Sequence, residues 1–148
     1  MTRLKRLETV HTVLGDRADQ AARALARSRE RVEEETRRLE QLRRFRDDYR
    51  QEFAGSGQDV IDAFRLRDFN AFVARLDEAI ARQQQHVDSV RREAEQVREH
   101  WQAQRRRADG MEKVVEGHRE VHRRHEADVE QSRSDEIAMR RFRDREPQ

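Results

Sequence analysis

The sequence predicts an all-α fold, a long antiparallel two-helix coiled-coil hairpin whose C-terminal helix overhangs its partner. Three observations carry that prediction. First, 43% of the 148 residues are charged and the chain holds only five Gly and one Pro. With 34% hydrophobic and 5% aromatic residues it cannot enclose a many-layered core, which leaves a disordered polyampholyte or long helices sharing a thin apolar seam. Second, apolar residues recur at alternating steps of three and four through two long runs. Third, the phase of that repeat slips once, at Ala54-Gly55-Ser56-Gly57-Gln58, the only Gly-rich stretch.

The first helix, about residues 3–53, follows the seam Leu4, Leu7, His11, Leu14, Ala18, Ala21, Leu25, Ser28, Val32, Glu35, Leu39, Leu42, Arg46, Tyr49, Phe53. Eleven of these 15 positions are apolar in a chain that is one-third apolar, a phase that a disordered chain has no reason to hold. Heptad spacing keeps such a stripe facing one partner through a left-handed supercoil, and the intervening Arg, Glu, Gln and Ala are strong helix formers.

A turn over about 54–60 follows, where Gly permits positive φ and a helix stop. Ser56-x-x-Asp59 ahead of Val60-Ile61 resembles a capping box. The second helix, about 61–142, takes a new phase through Leu66, Phe69, Val73, Leu76, Ile80, Gln83, Val87, Val90, Ala94, Val97, Trp101, Gln104, Ala108, Met111, Val115, His118, His122, His125, Val129, Ser132, Glu136 and Met139. Residues 143–148 form a frayed tail, and the whole chain is one hairpin domain.

Setting Phe53 against Phe69 makes partners across the seam sum to about 122, so that Leu42 meets Ile80, Leu25 meets Val97 and Leu4 meets His118. At 1.5 Å per residue the helices are roughly 75 Å and roughly 110 Å long. The second therefore overhangs the start of the first, where the seam turns polar and where Gly110 and Gly117 each cost about 1 kcal/mol of helix stability relative to Ala.

Charge and composition exclude several function classes. The 33 cations and 31 anions leave a net charge of +2, and neither half is a polybasic arm, which disfavours nucleic acid or an anionic membrane as the main partner. Arg105-Arg106-Arg107 reads as a solvated helix face. Without cysteine there is neither a disulfide framework nor a thiolate metal site. Apolar runs of at most four residues cannot span a bilayer, so a soluble intracellular chain is expected. No phosphate cradle or nucleophile–base spacing is present, so we expect no enzyme and no cofactor. His118, His122 and His125 share one face but lack a Cys or acidic third ligand at fixed spacing, and read as polar seam positions with no bound metal.

Six of the eight aromatic residues, Phe45, Tyr49, Phe53, Phe64, Phe69 and Phe72, crowd around the turn. A hydrophobic plug at the hairpin tip accounts for Phe53 and Phe69. Phe45 and Phe72 lie one step off the seam, with Leu76 and Ala79 continuing their flank, so a binding surface is the competing explanation. Arg46, a cation in the seam, is placed to snorkel or to stack on a ring.

Leu39-Glu40-x-Leu42-x-x-Phe45-x-x-x-Tyr49-Arg50, then Phe69-x-x-Phe72-Val73-x-x-Leu76-x-x-Ala79-Ile80, then Gln83 to Val87, Trp101 and Asp135-Glu136 together resemble the FliJ family of flagellar type III export stalk proteins, relatives of the YscO-type injectisome stalks. The resemblance implies a hairpin similar to the central stalk of rotary ATPases. It implies that the end made by both termini, here Leu4, Leu7, His118, His122, His125 and Val129, enters the pore of the hexameric flagellar export ATPase. It places contact with the cytoplasmic domain of the export gate on Leu42, Phe45, Tyr49, Phe72, Leu76 and Ala79, with Phe45 where the family commonly has Tyr. Arg38 and Gln83 stand where Gln and His are expected. Export chaperones of late substrates are further implied partners, with a monomer in isolation and a cytoplasmic location peripheral to the inner membrane. The alternatives are an injectisome ATPase stalk and a parallel homodimeric scaffold carrying the phase slip as a mid-rod skip.

Overall fold

The structure, a computed structural model, describes residues 2–56 and 62–145. It holds two helices, α1 (Arg3–Ser56) and α2 (Ala63–Arg145), packed antiparallel against each other as a helical hairpin. Thr2 starts α1, its hydroxyl oxygen accepting the Lys5 amide at 3.3 Å and its carbonyl the Arg6 amide at 3.2 Å. Asp62 starts α2 in the same way, the Asp62 carboxylate accepting the Phe64 amide at 3.2 Å and its carbonyl the Leu66 amide at 3.1 Å. Each side-chain cap satisfies an amide that the helix itself leaves free. At the other end Arg143 and Arg145 place positive charge in the last turn of α2, which complements the macrodipole.

Three features near the turn differ from what the sequence predicts. Gly55 lies inside α1, and no described residue has positive φ. In a terminal turn Gly costs only its helix propensity, about 1 kcal/mol, so it need not stop the helix. The cap of α2 is Asp62; of the expected box, Asp59 with Val60 and Ile61 lies outside the described residues. Leu66, expected to begin the second seam, is exposed, because α2 first meets α1 at Phe69.

The chain divides into two compact units. In the unit Gln20–Gln102 the buried seam runs through Ala21, Leu25, Leu39, Val73, Ile80, Val87 and Val90. Leu39, Ile80 and Val87 form a core cluster there, with Leu42 packed against them. With seam positions lettered a and d, cross-helix pairs on the flanks join g to g, as in Arg31–Glu93 at 3.3 Å, or e to e, as in Arg43–Gln84 at 2.9 Å. Like letters meet because the two helices run in opposite directions.

The second unit comprises Met1–Asp19 and Ala103–Gln148. Here Ala18, Gln104, Ala108 and Val115 are buried, Leu4, Leu7, His11, Leu14, Met111 and His118 are half-buried, and an e-to-e pair joins Glu8 to Arg119 at 3.2 Å. Every residue from 119 to 145 is exposed. The heptad phase through His122, His125, Val129, Ser132, Glu136 and Met139 thus continues on a helix whose seam meets no second helix among the described residues.

Candidate functional site

Leu42, Phe45, Tyr49, Phe72, Leu76 and Ala79 occupy only d and g positions. Leu42 and Tyr49 are d on α1 and Leu76 is d on α2; Phe45, Phe72 and Ala79 are g. Because d and g adjoin on a helix, and g faces g across an antiparallel pair, the six share one flank of the Gln20–Gln102 unit.

The rings there are interlocked. Phe72 sits edge-on to Phe45, centroids 6.2 Å apart, and tilts against Tyr49 at 4.6 Å. Tyr49 stacks in turn on Phe69 at 5.4 Å, and Phe69 stacks on Phe53 at 3.8 Å. Such pairs add roughly 0.5–1.5 kcal/mol each beyond area burial. The plug and the surface are therefore one structure: Phe53 and Phe69 close the seam, and the same stack carries Phe72 and Phe45 outward. Phe45 is 53% exposed, while Leu42, Tyr49, Phe72, Leu76 and Ala79 are half-buried. An apolar surface held rigid by its own packing is suited to contact with another protein.

Arg46 snorkels. Its guanidinium reaches Asp77 and Asp47, each at 3.3 Å, and Arg50 approaches the same Asp77 at 3.6 Å. Phe64 lies apart from the stack, with Arg67 over its ring at 5.9 Å.

One heptad further along the same d/g flank lies a polar network whose centre, Glu35, shows itself in the sequence only as a charged seam position. The buried Glu35 carboxylate accepts Gln83 Nε2 at 2.8 Å and Arg38 Nη1 at 3.0 Å, with His86 Nε2 at 3.5 Å. Gln83 Nε2 also donates to the Glu35 carbonyl at 2.9 Å. The Gln83 hydrogen bond, aided by the positive charge of Arg38, His86 and Arg31, holds the Glu35 carboxyl below its ordinary range against the opposing effect of burial. Arg38 and Gln83, the two positions where the family resemblance fails, are thus tied to a seam carboxylate.

At the end made by the start of α1, Leu4, Leu7 and His118 lie half-buried, whereas His122, His125 and Val129 are exposed. His122 Nε2 lies 3.1 Å from the Glu126 carboxylate on its own helix. Shallow grooves run beside Leu4, one bordered by Glu116, Arg119 and His122 and one by Lys5, His118 and His125. Among the described residues no three His, Cys, Asp or Glu side chains gather as a metal site, and no helix is long and apolar enough to cross a membrane.

The family model described as Flagellar FliJ protein matches residues 3–147, nearly the entire chain. No curated protein and no solved structure matches it.

Proposed function

The chain belongs to the FliJ family of flagellar proteins, components of the type III export apparatus, and on that premise we propose that it is the central stalk of the export ATPase. In this reading the end bearing Leu4, Leu7, His118, His122, His125 and Val129 inserts in the hexameric ring and promotes its assembly and activity. The flank of Leu42, Phe45, Tyr49, Phe72, Leu76 and Ala79 binds the cytoplasmic domain of the export gate. The protein works as a monomer at the cytoplasmic face of the inner membrane, also engages export chaperones of late substrates, and itself catalyses nothing.

The observation that carries this reading is the interlocked d/g flank: an exposed ring on a rigid helix pair, at the positions where the family resemblance implies gate contact. The exposed charges of both signs on the α2 extension support the other half. They offer a ring graded contacts without deep desolvation. Adding the protein to the flagellar export ATPase should raise both the hexamer population and the rate of ATP hydrolysis. An injectisome ATPase should respond less. No change in either quantity with the flagellar ATPase would refute the stalk role.

A further inference from the structure

In the unit of Met1–Asp19 and Ala103–Gln148 the two flanks of the seam differ. The e flank carries an ordinary ion pair, Glu8–Arg119. On the g side the sequence places valines instead: Val10 and Val13 of α1, and Val114 and Val121 of α2, are 43%, 44%, 44% and 67% exposed. Single exposed valines need no explanation, but these are arranged. Val114 and Val121 are seven residues apart on one face. Val10 and Val114 hold the g-to-g register that Arg31 and Glu93 hold in the Gln20–Gln102 unit. Val13 is the adjoining c position.

The same face is rimmed by Arg3, Arg6, Arg17, Arg106, Arg107 and Lys113, all exposed, and none makes an ion pair among the described residues. Of the anions at the same positions, Glu120 is held by Arg123 and Arg124. That leaves six unpaired cations against two unpaired carboxylates, Asp16 and Asp128, among the described residues, a local excess in a chain with nearly as many anions as cations. Arg105, by contrast, turns away to Asp109 at 3.6 Å.

We propose that this face docks an acidic amphipathic helix of a partner protein, its apolar stripe on the valines and its carboxylates on the surrounding cations. Charge complementarity selects the partner's sign, and the heptad spacing of the valines selects a helix over an extended peptide. The surface is independent of the gate assignment, but Arg3 and Val121 line one groove with Leu4, His118 and His125, so a helix docked here and insertion of this end in the ring exclude each other. The surface also accounts for two glycines. Gly110 and Gly117 are c positions beside Val114 and Val121, and a Cβ at either would meet nothing within 4 Å. No described residue requires glycine there, whereas a partner backbone lying close to α2 would.

The test uses the full chain and a synthetic helical peptide of about three heptads with a Leu/Ala stripe and Glu flanks. Its controls are the same peptide with Lys flanks and a structureless poly-Glu peptide. The Glu-flanked helix should bind, more weakly as salt rises, and neither control should. Gly110→Leu/Gly117→Leu should keep or raise the melting temperature yet weaken peptide binding by at least about tenfold; Val114→Glu should weaken it likewise. The proposal fails if the Glu-flanked helix does not bind, if poly-Glu binds equally well, or if the double Leu variant binds undiminished. Sedimentation showing the chain pairing with itself through this face would overturn it too.

Discussion

Glu35 shows how much a single seam residue can decide. A charge buried between helices is costly unless its partners are in place, and here three side chains, Gln83, Arg38 and His86, converge to supply them. A shift of register would strand the carboxylate, so the network acts as a pin for the alignment that sets Phe45 against Phe72. Since the folded state depresses the Glu35 pKa, its contribution is present above the ordinary value of 4.5 and is lost as pH falls through the lowered one. Glu35→Gln should therefore destabilise the protein at pH 7, and the gap to the parent should close in urea titrations repeated at successively lower pH below 4.5. A gap of constant size would mean that the charge is irrelevant. At Phe72 and Leu76 the expectation concerns binding. Phe72→Ala/Leu76→Ala should cost about 2 kcal/mol or somewhat more, since both side chains are half-buried, and leave helical circular dichroism nearly unchanged at 25 °C. Affinity for the gate's cytoplasmic domain should fall about tenfold or more, as expected of a hot spot. Loss of most of the helical signal would instead place the pair in the core.

At the scale of elements, neither helix is stable on propensity alone; each depends on the seam it buries against the other. Antiparallel pairing brings e to e and g to g, so the flank at each level is composed of residues far apart in sequence, such as Arg31 with Glu93 or Phe45 with Phe72. The chain has no native cysteine, so spin labels can be introduced by Arg29→Cys and Arg98→Cys at exposed e positions of the Gln20–Gln102 unit. Helices packed 8–10 Å apart predict a label separation within about 20 Å. It should persist when labelled protein is diluted into excess unlabelled protein. A distance that disappears on such dilution would point to a dimer of parallel rods.

For the whole molecule, the division of labour follows from where α1 begins. The rings and the Glu35 network belong to the unit of Gln20–Gln102, while residues 119–145 are exposed throughout. Truncation after Asp128 should leave the melting temperature nearly unchanged and spare gate binding, because the described residues it removes, 129–145, are all exposed. Stimulation of the export ATPase should drop. Full stimulation by the truncated protein would take the ring contact away from the α2 extension.

The two helices, their antiparallel pairing, the polar extension of α2 and the d/g flank are all legible in the amino-acid order. All of these follow from apolar spacing, which is a property of each helix alone, and from one phase slip at a Gly-rich break. All fifteen seam positions of α1 from Leu4 to Phe53, and those of α2 from Phe69 to His118, are buried or half-buried. The family resemblance, carried by the order and spacing of those same residues, is matched by the family found over residues 3–147. Packing alone reveals that Gln83 and Arg38 serve Glu35, that Arg46 reaches Asp77, that Asp62 caps α2, and that Leu66 falls outside the seam. Periodicity tells which face of a helix is covered. Which polar atoms then meet depends on the register between two helices to within a single residue, and that is set only when both are packed.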